Sequence, residues 1–302
     1  MTPSPSDTTV AVIGLGIMGG PMAANLVKAG YDVVGYNRSS AKVDALVAAG
    51  GRGATSVAEA VKDADVIITM VPDSPDVEEV AQSEDGIFAN AKSGSVWVDC
   101  STIRPDVSSR LAEAGQEAGI RVLDAPVSGG EAGAKEAKLS IMVGGAEPDF
   151  EEVRPILEAV GSTIVLVGPA GSGQTVKAAN QLIVAGNYEL VAEAIVFLRA
   201  YGVDTEAALK VLAGGLAGST VLDRKGASML AGQFAPGFRI DLHHKDMGII
   251  IDAARAKGVT IPLGAVAAQL INALRAQGDG GLDHSALLRG VERLSGQKVS
   301  GE

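Results

Sequence analysis

Gly14, Gly16 and Gly19 stand between a β-branched apolar run and a helical pattern, and this placement constrains the fold more than any other feature of the chain. Residues 9–13 read as a buried strand. Gly14 then permits a turn too tight for a side chain, Gly16 lets backbone approach a bound group, and Gly19 lets the next helix pack close to the strand. That helix, from about residue 17 to a stop near Gly30, offers amides and the positive end of its dipole to an anion. In a chain with 39 glycines the spacing alone is a weak signal. Between strand and helix it predicts a dinucleotide pyrophosphate site made by Gly14, Leu15, Gly16, Ile17, Met18 and Gly19.

A second strand, residues 31–36, leads to the position where an acid would bind the adenosine ribose hydroxyls. Here that position is Asn37. An acid would repel a 2′-phosphate, whereas Asn37, Arg38, Ser39 and Ser40 offer amide, guanidinium and hydroxyl donors to one. The run predicts a preference for NADPH and leaves NADH open. The competing reading makes Arg38 a solvated loop charge.

The alternation continues with helices at 41–49, 105–118 and 148–160, and strands at 65–70, 96–99, near Val122, near Ile141 and at 164–167. This is the order of a doubly wound α/β sheet, whose ligands sit at the carboxyl ends of its strands. After residue 167 the pattern becomes all helical, beginning with a long helix at 174–200 that is apolar around most of its circumference. Further helices fall at 205–213, 220–229, 241–256, 263–276 and 285–294. Two domains are therefore expected, residues 1–167 and 168–302. The long helix should lie buried between layers or subunits, because Asn187, Glu189 and Glu193 would be costly in lipid.

With 47 % hydrophobic and 20 % charged residues, the chain can fill a sizeable core. Its net charge of −11 disfavours nucleic acid or an anionic membrane as the main partner. The single cysteine, Cys100, fits a reducing cytoplasm and reads as a buried core thiol. Residues 1–8 show no basic start or apolar run and read as a disordered tail without a secretory signal. Trp97, in an apolar strand, reads as core. His243, His244 and His284 do not have the spacing of a metal site, and no metal is implied.

Candidate chemistry falls on Lys177 and Asn180, three residues apart and so on one face of the long helix. A lysine enclosed by Val176, Ala178 and Ala179 would lose hydration and exchange a proton near neutral pH. Next to a reacting carbonyl, its ammonium would stabilise the developing oxyanion and protonate it. Asn180 would orient a substrate hydroxyl. The local sequence alone is equally consistent with Lys177 snorkelling from a helix end. Ser128, Gly129 and Gly130 offer a hydroxyl and open amides to a small carboxylate, or form a plain turn. Lys245 with Asp246 is a second ammonium over the crevice, or a solvated pair.

Taken together, these motifs resemble the β-hydroxyacid dehydrogenase family over the whole chain. Gly14-Leu15-Gly16-Ile17-Met18-Gly19-Gly20-Pro21-Met22-Ala23-Ala24-Asn25 matches its opening signature. Asp124-Ala125-Pro126-Val127-Ser128-Gly129-Gly130 and Gly173-Gln174-Thr175-Val176-Lys177-Ala178-Ala179-Asn180 resemble its substrate and catalytic motifs. The resemblance implies a Rossmann domain followed by an all-α domain that forms a homodimer or homotetramer around the long helix. It implies Lys177 as catalytic acid/base, and Asn180 and Ser128 to Gly130 as contacts to a small anionic semialdehyde or hydroxyacid. It also places Val71, Pro72, Thr102 and Lys245 along the cofactor.

Residues 214–223, 237–243 and 283–286 resemble the branch of the family that reduces tartronate semialdehyde to glycerate. Asn37 departs from the acid of NADH-preferring members, and His244 stands where an aliphatic residue is expected and would bear on Lys245. The alternatives are a 3-hydroxyisobutyrate or other short-semialdehyde dehydrogenase, and a dinucleotide-binding module without turnover. Retention of Lys177 argues against the latter and against an imine reductase.

Overall fold

A computed structural model describes residues 5–301. Two compact units divide the chain between Lys177 and Ala178. The division lies ten residues beyond the expected boundary at 167, because the first turn of the long helix is bonded into the first unit.

Among the described residues nine strands form the sheet of the first unit: β1 (Thr9–Ile13), β2 (Asp32–Tyr36), β3 (Arg52–Gly53), β4 (Val66–Thr69), β5 (Val96–Asp99), β6 (Arg121–Asp124), β7 (Val127–Ser128), β8 (Leu139–Gly144) and β9 (Gly161–Gly168). Its helices are α1 (Gly19–Lys28), α2 (Ser40–Ala48), α3 (Val57–Val61), α4 (Ser74–Gln82), α5 (Ile87–Asn90), α6 (Pro105–Glu117), α7 (Gly130–Lys135) and α8 (Glu147–Glu158), followed by the start of α9 (Ser172–Ala200).

Strands β3-β2-β1-β4-β5-β6 are parallel, with Thr9 facing Asp32, Val10 facing Val66 and Asp99 facing Asp124. This is the order of a Rossmann sheet. The central strands are apolar along their length because helices cover both faces. In β1, Val10 and Val12 enter one core while Ala11 and Ile13 enter the other, as the two-residue period requires. Beyond β6 the sheet becomes mixed: β8 runs antiparallel to β6 and β7, and parallel to β9. Trp97 and Cys100 are buried, and burial pushes the Cys100 thiol pKa well above its ordinary value. Pro5–Asp7 form a short 3-10 turn, and the rest of the expected tail at 1–4 lies outside the described residues.

Among its described residues the second unit is helical, with α9 continuing through α10 (Thr205–Ala213), α11 (Thr220–Leu230), α12 (Ile240–Lys257), α13 (Pro262–Ala276) and α14 (Leu287–Leu294). Ala185, Tyr188, Ala192 and Ile195, spaced along one face of α9, pack into its core with Ile250, Ile271 and Leu288. The long helix is expected to lie between layers or between subunits, and within the chain only one face is covered: on the opposite face Ile183, Leu190 and Phe197, seven residues apart, are all more than 60 % exposed. By length and composition alone α9 is long and apolar enough to cross a membrane. Its buried Glu189, whose pKa burial and Glu193 raise to about 7, favours the reading as a packed helix.

Candidate functional site

The three glycines of the first loop serve three geometric needs. Gly14 has φ +96°, and a Cβ there would run into the Met70 carbonyl oxygen. A Cβ on Gly19 would collide with the Gly14 carbonyl oxygen, so this glycine sets the close approach of α1 to the turn. At Gly16 a Cβ would meet nothing within 4 Å, and the loop faces open space where a pyrophosphate fits. The residues present therefore suit the pyrophosphate of a dinucleotide. Ile17 is exposed beside this opening, and Met18, at the start of α1, packs against the core. Leu15 is buried, and its N–H donates to Asn37 Oδ1 at 3.0 Å, so both its side chain and its amide are committed inside the fold.

Asn37 thus has a structural duty that the sequence did not reveal. Its Oδ1 holds the glycine loop, and its Nδ2 donates to the Ser39 carbonyl at 3.3 Å. A carboxylate here could hold Leu15 equally well, but it would add a negative charge at the ribose end. Arg38 is largely exposed and lies 3.6 Å from Asp76, a weak surface pair that leaves its donors accessible.

The loops after β4 and β5 are tied together. Val71 N–H donates to Ser101 Oγ at 3.0 Å, and Ser101 N–H to Asp99 Oδ1 at 3.1 Å. Burial and the nearby Asp124 charge raise the pKa of Asp99, against hydrogen bonds from Thr69 and Ser101. Pro72 is exposed, and Thr102 is half-buried in the loop that Ser101 begins.

At the end of β6, Asp124 accepts Gly171 N–H at 2.7 Å and Gln174 N–H at 2.8 Å, capping the start of α9. Burial raises its pKa, and the amides of Gly171, Gln174 and Gly173 oppose the rise. Lys177 follows one turn later and is 6 % exposed. Its burial does not come from Val176 and Ala179, as the sequence suggested, since both are exposed. Helical neighbours point about 100° away, and the same-face residues Gly173, Gln174 and Gln181 are the buried ones.

Ser128 ends β7, and Gly129 (φ +142°) and Gly130 (φ +64°) turn the chain into α7. A Cβ on Gly130 would meet nothing within 4 Å, so the turn is open to a small ligand. Asn25, the last residue of the opening signature, braces it by donating from Nδ2 to the Ala134 carbonyl at 2.8 Å.

In the second unit, Asn180 Nδ2 donates to Gln181 Oε1 at 2.8 Å, and Gln181 Nε2 donates to Asp246 Oδ2 at 2.6 Å. Lys245 Nζ lies 3.0 Å from Asp246 Oδ1 as an ion pair off the hydrogen-bonding direction. With Asp246 buried and Lys245 mostly so, this is not a solvated surface pair. Burial and Arg275 lower the pKa of His244, which is therefore neutral near pH 7 and adds no charge beside Lys245. Unforeseen from the sequence, the Nδ1 atoms of His243 and His284 lie 3.2 Å apart, one donating to the other. Among the described residues no group of three or more His, Cys, Asp or Glu gathers as metal ligands.

Residues 9–168 match the family of the NAD binding domain of 6-phosphogluconate dehydrogenase. Residues 171–291 match the family described as NAD-binding of NADP-dependent 3-hydroxyisobutyrate dehydrogenase. The chain is 42 % identical to 2-hydroxy-3-oxopropionate reductase of Escherichia coli, over 95 % of this chain and 98 % of that one. The chain belongs to the β-hydroxyacid dehydrogenase family. It is also 36 % identical to 3-hydroxyisobutyrate dehydrogenase of Pseudomonas aeruginosa, over 93 % of this chain and 97 % of that protein. The solved Mycobacterium tuberculosis 3-hydroxyisobutyrate dehydrogenase with L-serine superimposes with a TM-score of 0.84 at 36 % identity, covering 93 % of this chain and 98 % of that one. As a member of this family the protein is an NAD(P)-binding oxidoreductase acting on small hydroxyacids or their semialdehydes.

The Asn37 geometry yields a direct expectation for cofactor choice. Asn37→Asp keeps an acceptor for Leu15 N–H and adds one charge, so the ratio of kcat/KM for NADPH over NADH should fall by about tenfold or more, the equivalent of ~1.4 kcal/mol. An unchanged ratio would show that Asn37 takes no part in the choice.

Proposed function

We propose that the protein is a cytoplasmic, homo-oligomeric reductase that prefers NADPH and converts tartronate semialdehyde to glycerate. The observation that carries the reading is Lys177, buried on a helix whose first turn is bonded to the loop after β5, in the same unit as the open glycine loop. A reduced nicotinamide dinucleotide held by the Gly14 to Gly19 loop would supply a hydride to the aldehyde carbon. Lys177 Nζ stabilises the oxygen as it gains charge, then donates the proton that makes the hydroxyl. In the reverse direction the neutral amine takes that proton back. Ser128 and the amides of Gly129 and Gly130 hold the substrate carboxylate, and Asn180 orients its hydroxyl. Val71, Pro72 and Thr102 would border the cofactor, and Arg38 with Ser39 would meet its 2′-phosphate. The substrate preference is supported by the 42 % identity to the Escherichia coli reductase.

A second reading, a 3-hydroxyisobutyrate-type dehydrogenase, draws support from the Mycobacterium tuberculosis likeness. Apolar substrates differing by one methyl group are separated by only about 1–3 kcal/mol. Relative kcat/KM for tartronate, methylmalonate and succinate semialdehydes decides between them, with tartronate semialdehyde expected to lead. Lys177→Ala should lower kcat by at least about 100-fold with the best of these. Wild-type turnover in that variant would remove Lys177 from the chemistry.

The exposed stripe of Ile183, Leu190 and Phe197 supports assembly through α9, since three large apolar residues in register suit a second copy of the same helix. Leu190→Glu should convert the oligomer to a smaller species by light scattering at micromolar concentration. Identical masses for wild type and variant would place the assembly surface elsewhere.

A further inference from the structure

Gln174 is 1 % exposed, and both ends of its carboxamide are engaged. Nε2 donates to the Ser101 carbonyl at 2.8 Å, while Oε1 accepts Ile103 N–H at 3.1 Å. These two bonds bracket Thr102 and span the turn that follows β5. Ser101 is itself held by Asp99 and in turn holds Val71, so the carboxamide reaches both loops assigned to the cofactor border. The backbone of the same residue is fixed separately, with its N–H on Asp124 Oδ2 at 2.8 Å. Little slack remains around it, since a Cβ on the neighbouring Gly173 would run into the Met142 carbonyl oxygen and lie 2.8 Å from Asp124 Oδ2.

Lys177 stands three residues further along the same face of α9. The side chain of Gln174 joins this face to the loop at 101–103 by hydrogen bonds at both ends, and Asp124 joins it to β6. We propose that Gln174 is a positioning residue of the reduction, whose carboxamide sets the Lys177 ammonium in register with the Val71 and Thr102 loops. The proposal rests on the reading of Lys177 as proton donor. Its force comes from geometry: a misplacement of about 1 Å between reacting groups lowers rates by about 100-fold.

The partners dictate how substitutions behave. Gln174→Met removes donor and acceptor at similar volume. Gln174→Glu is conditional: a protonated carboxyl offers an O–H to the Ser101 carbonyl and a C=O to Ile103 N–H, whereas a carboxylate has nothing to donate and repels the carbonyl. Burial and the adjoining Asp124 would raise the pKa of the introduced acid.

The test compares wild type, Gln174→Met and Gln174→Glu by thermal melting, NADPH affinity, kcat against pH, and amine labelling of Lys177 read by peptide mass spectrometry. The expected result for Gln174→Met is a cooperative melt, faster labelling of Lys177, a kcat at least about tenfold lower, and a smaller change in NADPH Kd. Gln174→Glu should regain kcat as pH falls, through an ionisation that wild type lacks. This rescue also tests the proposal if the Met variant fails to fold. Unchanged kcat and labelling in Gln174→Met, or an equal deficit at every pH in Gln174→Glu, would overturn it. If wild type turns over none of the semialdehydes while Lys177 labelling still depends on Gln174, the positioning stands and the functional reading falls.

Discussion

Asp124 accepts the N–H groups of Gly171 and Gln174, and the placement of Lys177 follows from those two bonds. Helix starts leave their first amides without helical partners, and a carboxylate set against them is favoured by both hydrogen bonding and the helix dipole. Because Asp124 ends β6, this cap fixes the first turn of α9 on the carboxyl edge of a rigid sheet, and Lys177 inherits its position from the sheet. Gln174 adds the link to the loop after β5. The helix that runs into the second unit is thus anchored, at the point where chemistry is expected, by residues of the first.

The cofactor end obeys a similar economy of backbone contacts. Gly14 and Gly19 give closeness between strand, turn and helix, while Gly16 leaves room. Asn37 joins the glycine loop to the end of β2 through Leu15. The side chain at 37, proposed to bear on cofactor preference, thus also shapes the loop, and Asn37→Asp would keep the acceptor for Leu15 N–H while losing the donor to the Ser39 carbonyl.

Much of this was legible in the sequence. Buried parallel strands leave continuous apolar runs, and β1, β2, β4 and β5 fall within a residue or so of where those runs are. Amphipathic helices leave a 3.6-residue period, so α10 to α13 lie within two residues of expectation. Elements of two to six residues, such as β7, α3 and α7, are too short to show a period. The antiparallel entry of β8 depends on partner choice across the sheet and leaves no local trace. Within the site, residue types announced Lys177 and the Ser128 to Gly130 turn, but long-range contacts remained hidden. Gln174 meets Ser101 across 73 positions, and His284 meets His243 across 41. The available signals for Gln174 were its place in the Gly173 to Asn180 motif and its spacing of three from Lys177. The error about what buries Lys177 came from counting neighbours along the chain instead of around the helix.

The central claim is that an ammonium at position 177 delivers the proton. It is tested most directly by making Lys177→Cys and treating it with 2-bromoethylamine, which rebuilds a lysine-like side chain with a sulfur in its stem. Cys100 is buried with its pKa raised, so it stays unreactive in the folded protein. Turnover of tartronate semialdehyde should be nearly absent in the cysteine variant, return on aminoethylation, and not return after treatment with iodoacetamide. Full activity in the untreated variant, or equal recovery with the neutral adduct, would contradict the account.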